Sequence, residues 1–145
     1  MTVRTISPEE TRALRHKVLW PHIPLMNDCI IDIDHREDAI HLGTFIDERL
    51  VAIGTFFSMP SPKINFQRQY RLRAMASDPE FRGRHAAREL VLYGIQMLRD
   101  KHVEVLWCDA RIKAVSFYSS IGFQKIDAIY EVPMIGPHQF MWIEL

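Results

Sequence analysis

A chain of 145 residues with 48% hydrophobic and 25% charged side chains has the composition of one soluble globular domain. It is long enough to bury roughly 70% of its unfolded surface. Eighteen basic residues balance eighteen acidic ones, which argues against broad electrostatic attachment to nucleic acid.

No apolar run approaches the about 20 residues of a membrane-crossing helix. The opening Met-Thr-Val-Arg-Thr-Ile-Ser-Pro has no apolar stretch of signal-peptide length. Neither nucleic acid nor membrane is expected as a partner, and the cytoplasm is the expected setting. Cys29 and Cys108 lack metal-like spacing and are expected as reduced thiols, Cys108 buried within a strand. The seven histidines show no His-x-x-x-His spacing, so no metal is expected.

In chain order, Val3–Ile6 is a short strand. Ser7-Pro8-Glu9-Glu10 starts a helix, with Ser7 as N-cap, Pro8 at the first position and Glu10 closing a capping box. That helix is expected to run to about Leu19, before Trp20-Pro21. Pro21 to Glu37 is mixed and acidic, and is expected as a long loop or a short irregular helix. Ile40–Ile46 and Leu50–Phe57 form a hairpin about Asp47-Glu48-Arg49. After a proline-containing loop, Tyr70–Ala76 is a third strand.

Arg82, Arg84, His85 and Arg88 follow within one short turn. They mark the start of a helix over Ala86–Leu98 that places Ala87, Leu90, Val91, Gly94, Ile95 and Leu98 on one face. A helix start exposes unpaired N–H groups and a partial positive charge. With arginines added, it suits a di-anion such as a pyrophosphate. Val103–Cys108 is a strand and Lys113–Ser120 a short helix stopped by Gly122. Phe123–Glu131 and Phe140–Glu144 are closing strands. The order predicts an α/β (α+β) mixed sheet with helices on its faces, in a single domain over 1–145. The C-terminal strand, Phe140–Leu145, could pair with a second subunit in a homodimer, as strand edges invite.

Two stretches resemble the GNAT N-acetyltransferase superfamily. Arg82-Gly83-Arg84-His85-Ala86-Ala87 is similar to its Arg/Gln-x-x-Gly-x-Gly/Ala turn, with His85 in place of the middle glycine. Lys113-Ala114-Val115-Ser116-Phe117-Tyr118, ending at Gly122-Phe123, is similar to its helix-to-strand junction. Arg111 stands where the family often has Asn. Leu14–Leu19, Asp32-Ile33-Asp34 with His41-Leu42-Gly43, and Gly136–Met141 resemble the ElaA-like branch.

The resemblance implies a mostly antiparallel central sheet with a V-shaped cleft between two central parallel strands. It also implies acetyl-CoA as co-substrate and a small-molecule or peptide amine as acceptor. Arg82, Gly83, Arg84, His85, Ala86, Ala87, Arg88 and Arg111 would bind the cofactor. Met75, Ala76 and Ser77 would line the pantetheine arm at a bulge, with a backbone N–H at Met75 or Ala76 facing the developing oxyanion. Tyr118 would protonate the departing thiolate; Phe117 is expected to be the core member of that pair. His85 either reaches a phosphate oxygen, crowds the loop, or points outward.

For the base, Asp109, His41, His138 and the Asp32/Asp34 pair are the candidates, and a water chain could also serve. Arg71 and Arg73 share one face of their strand and could hold an anionic group of the acceptor, alongside His41 and His138. Asp32, Asp34, His35 and Asp38 form an acidic cluster that could attract an amine. The activity expected is acyl-CoA-dependent N-acyl transfer by direct attack. The alternative is a non-catalytic CoA-binding sensor of the same fold.

Overall fold

A computed structural model describes all residues from Met1 to Leu145. Strand β1 (Thr2–Thr5) leads into helix α1 (Pro8–Leu14). The predicted capping box forms: Ser7 accepts from the Glu10 N–H, and the Glu10 carboxylate accepts from the Ser7 N–H. The α-helix ends five residues early. Arg15–Leu19 winds wider, closed by a bond from the Trp20 N–H to the Arg15 carbonyl at 2.9 Å. This π-type turn carries the Arg15 side chain into the protein, where it is fully buried.

The remaining elements are β2 (Ile40–Ile46), β3 (Arg49–Ser58), β4 (Gln69–Ser77), α2 (Ala86–Asp100), β5 (Val105–Arg111), α3 (Val115–Ile121), β6 (Gln124–Val132) and β7 (Gly136–Glu144). They form one seven-stranded sheet in the order β1-β2-β3-β4-β5-β7-β6. Every neighbouring pair is antiparallel except β4 and β5. The C-terminal strand is therefore not an edge. β7 starts at Gly136, earlier than expected, and lies between β5 and β6, so the sheet edges are β1 and β6. No helix is long and apolar enough to cross a membrane.

Helix α2 lays its predicted face on the sheet. Leu90, Val91, Ile95 and Leu98 pack with Leu42, Phe56, Leu72, Leu106, Cys108 and Met141. Gly94 lies over Phe56: a Cβ there would sit 2.4 Å from the Phe56 Cζ. Helix α3 covers the same face through Tyr118, and Phe123 follows it into the core.

The opposite face lies under α1. Beside a small apolar cluster of Ile6, Leu14, Ile53 and Ala76 stands a polar one. Arg15 donates to both oxygens of Asp34 at 2.7 and 2.8 Å, and to the Thr55 hydroxyl at 3.1 Å. His41 Nε2 lies 2.9 Å from the Asp34 carbonyl oxygen and must donate to it. Nδ1 then accepts from the Thr55 hydroxyl at 2.8 Å, so this geometry fits a neutral imidazole.

Burial lowers the His41 pKa below its usual value, and the Arg15 charge adds to this. The unfolded chain therefore takes up a proton, below about pH 6.5, that the fold resists. Stability should fall as pH drops through that range. His41→Gln should flatten the pH dependence of Tm between about pH 6.5 and 5; an unchanged slope would assign the loss to another group.

Candidate active site

Two irregularities open the sheet at its centre. Pairing between β3 and β4 jumps from Thr55↔Arg73 to Ile53↔Ala76, so Ala74 and Met75 together oppose Gly54. This is a β-bulge, and Ala74 takes a left-handed conformation within it (φ 53°). Gly54 makes room: a Cβ there would lie 3.0 Å from Leu90 Cδ2 and 3.1 Å from the Met75 sulfur. The bulge begins one residue before the expected Met75-Ala76-Ser77.

The parallel strands β4 and β5 pair only at Gln69↔Val105, Tyr70↔Leu106 and Arg71↔Trp107. Beyond Arg71 and Trp107 they separate, leaving β4 backbone groups without a partner on that side. That gap is the expected V-shaped cleft.

At the end of β4 the chain turns into α2. The Asp78 carboxylate accepts from the Glu80 N–H at 3.0 Å and from Lys17 Nζ at 3.1 Å. Phe81 lies beneath the Arg49 and Arg84 guanidinium groups, 4.9 and 5.8 Å from its ring centre. The turn passes through two left-handed residues, Gly83 (φ 78°) and His85 (φ 62°). The second explains why a glycine suits this position; His85 tolerates it with an exposed side chain.

No side chain caps α2, so the N–H groups of Ala86, Ala87 and Arg88 have no helical partner. The Thr44 hydroxyl, donating to the Ala86 carbonyl at 2.9 Å, fixes this helix start on the sheet. Against it lies a cavity of about 400 Å³. Ser77, Phe81, Arg82, Gly83, His85, the Ala86–Arg88 turn, Val51, and Phe117 and Ser120 of α3 line it.

Tyr118 lies in α3 with its ring 5.1 Å from those of Phe117 and Phe123. Burial, with Cys108 nearby, raises its phenol pKa well above the usual value. The hydroxyl is not among the polar atoms sealed without a partner. Burial also holds the Cys108 thiol well above its usual pKa, the condition of a buried structural thiol.

On the other face of the cleft, Arg71 donates to Asp109 Oδ2 at 3.0 Å and lies over the Trp107 ring at 4.8 Å. The Tyr130 hydroxyl donates to the other Asp109 oxygen. Tyr130 reaches it through a bulge in β6, where pairing jumps from Ile126↔Phe140 to Tyr130↔His138.

A family model described as the acetyltransferase (GNAT) family matches residues 4–123. The chain belongs to the GNAT acetyltransferase family. Over 142 residues it is 32% identical to the uncharacterized N-acetyltransferase YitI of Bacillus subtilis (strain 168), covering 98% of this chain and 95% of that one. Its fold is that of Escherichia coli ElaA, with a TM-score of 0.74 at 18% identity over 97% of each chain. It is also that of FeeM, an N-acyl amino acid synthase from uncultured soil microbes, at 0.75 and 16% over 99% and 90%. An aminoglycoside 6'-N-acetyltransferase complexed with coenzyme A matches at 0.73 and 10%, over 99% and 97%. At such identities the likeness to solved structures carries the fold alone.

The structure redistributes several expected site residues of this GNAT enzyme. Ser77, Arg82, Gly83, His85, Ala86, Ala87 and Arg88 meet at the cavity. Arg84 sits beside it over Phe81, and Met75 and Ala76 lie on the strand leading to it. Arg111 ends β5 opposite His138 and does not line the cavity. Phe117, expected in the core, lines the cavity, while Tyr118 is the buried member.

His41 and Asp34 are withdrawn from the acceptor side: both are buried and held in the Arg15 cluster. Asp109 has an oxygen on Arg71 and the other on Tyr130, a geometry that orients those groups rather than leaving a free base. His138 Nδ1 donates to its neighbour Gly136's carbonyl at 2.9 Å. The acidic cluster is dispersed, since Asp34 is buried and Asp38 is bound by Arg36 and by the Ser58 N–H. Tyr130 was not anticipated, because the bulge breaks the alternation that would have placed it on this face.

Proposed function

We propose that this enzyme transfers the acetyl group of acetyl-CoA to a primary amine by direct attack. The cavity at the uncapped start of α2, continuous in sequence with the bulged end of β4, carries the reading. The donors fit the co-substrate: the N–H groups of Ala86, Ala87 and Arg88, with the Arg82 and Arg88 side chains, suit a pyrophosphate. Backbone groups of Met75, Ala76 and Ser77 would pair with the pantetheine arm in the gap toward β5.

The amine nitrogen attacks the thioester carbonyl, and a C–N bond forms. The carbonyl oxygen takes up negative charge facing the Met75 N–H. The C–S bond then breaks, the sulfur leaves with the electron pair, and Tyr118 delivers a proton to it. The proton lost by the amine passes to water and restores the phenol. A screen of amines with acetyl-CoA, following thiol release, tests the reading; no release with any amine would sink it.

His85 supplies a second test. A non-glycine residue in the left-handed region costs about 1–2 kcal/mol, and glycine costs about 0.5–1 kcal/mol in chain entropy. His85→Gly should therefore leave Tm unchanged or raise it slightly. CoA affinity by calorimetry should hold or tighten, since the backbone donors stay in place. A clear loss would show that the imidazole itself binds phosphate.

A further inference from the structure

We propose that the acceptor carries a carboxylate next to its amine, as an amino acid does, and that Arg73 binds that carboxylate. The inference rests on the acetyl-transfer reading above and specifies its second substrate.

Arg73 is the last residue of β4 before the bulge residue Ala74. The register places it beside Thr55, on the face that also carries His41, Arg71 and Asp109. Three arginines converge there, and two are neutralised. Arg15 is held by Asp34, and Arg71 by Asp109. Arg73 is half-buried, and no hydrogen bond or ion pair within the chain engages its side chain. Asp32, which is exposed, and Asp109 act on it only through space.

Burial, and then the Arg71 charge, lower the Arg73 pKa. A guanidinium withdrawn from water beside a second one is a costly arrangement unless an anion joins it. The nitrogens of Arg73 are also not sealed: Arg15 Nε and Arg71 Nε are among the buried unpartnered atoms, and no Arg73 atom is. Its fork is therefore open to solvent and to an incoming anion.

Charge and position then define the anion. One unpaired positive charge suits a monoanion, and a planar guanidinium matches a carboxylate bidentately. Successive Cα atoms are about 3.8 Å apart, and Arg73 lies two residues before Met75, whose N–H is assigned to the thioester oxygen. A carboxylate bound there belongs close to the attacking nitrogen. A polyamine would meet unscreened repulsion at the same point.

The test compares glycine, leucine, phenylalanine and glutamate with their carboxamides as acceptors. The acids should exceed the amides in kcat/KM by roughly 10- to 100-fold. Arg73→Gln should remove that preference, and Arg73→Lys should restore part of it. CoA affinity should be the same in all three proteins. Separately, the N-acetyl forms of the same acids should raise Tm in the unsubstituted enzyme and not in Arg73→Gln. Transfer to the amides as fast as to the acids overturns the inference and leaves acetyl transfer standing. Arg73-dependent binding of the N-acetyl acids without transfer to any amine supports the inference while the transfer reading fails. Amino alkyl phosphates preferred over the acids would also overturn it.

Discussion

Tyr118→Phe is expected to lower kcat by about 10²–10⁴-fold, the range for loss of a positioned proton donor, while CoA affinity by calorimetry stays nearly unchanged. The substitution removes one oxygen and keeps a ring between Phe117 and Phe123, so packing is preserved. What it removes is the proton for a leaving thiolate whose conjugate acid has a pKa of about 8.5. Burial lifts the phenol pKa well above the usual value, so Tyr118 stays protonated through the working range. Activity should then rise with pH as the acceptor amine loses its proton and should not fall because the phenol ionises. The midpoint of that rise should lie near about pH 8 for a peptide α-amine and near about pH 10.4 for a lysine-type amine. A Tyr118→Phe enzyme with full activity across that range would show that the proton comes from elsewhere.

What the sequence disclosed depended on how local the determining interaction is. The capping box at Ser7–Glu10 and the turn at Arg82–Arg88 are encoded within a few residues. Their donors, acceptors and helix start could be read without the sheet. The Arg15–Asp34 pair joins residues 19 positions apart through a π-type turn that no residue pattern announces. The Asp109–Tyr130 contact depends on a bulge in β6, and bulges cancel the alternation by which a strand's faces are read. Phe117 and Tyr118 were exchanged for a related reason. They are adjacent aromatics on a helix of seven residues, too short for its periodicity to say which one faces the core. The inner place of β7 cannot be read from the sequence, because strand order is not written in chain order.

Asp34→Ala should destabilise the fold by about 3–5 kcal/mol, the range for removing one partner of a buried ion pair, as read by urea denaturation. Against a typical domain stability of about 5–15 kcal/mol, that is a large fraction. The cause is the charge left behind: Arg15 is fully buried and keeps only the Thr55 hydroxyl and a longer contact to the Cys29 carbonyl at 3.3 Å. Burial by itself would raise the Asp34 pKa, but the Arg15 hydrogen bonds and the Ile31 N–H outweigh it and hold the carboxyl below its usual range. The pair is thus intact above the ordinary carboxylate pKa of about 3.9 and is lost as pH falls through the lower folded value. Replacing both partners, as in Arg15→Met with Asp34→Leu, should recover most of the loss, because an apolar pair of similar volume leaves no buried charge. If Asp34→Ala cost under about 1 kcal/mol, comparable to an exposed pair, the cluster would not be supporting the fold.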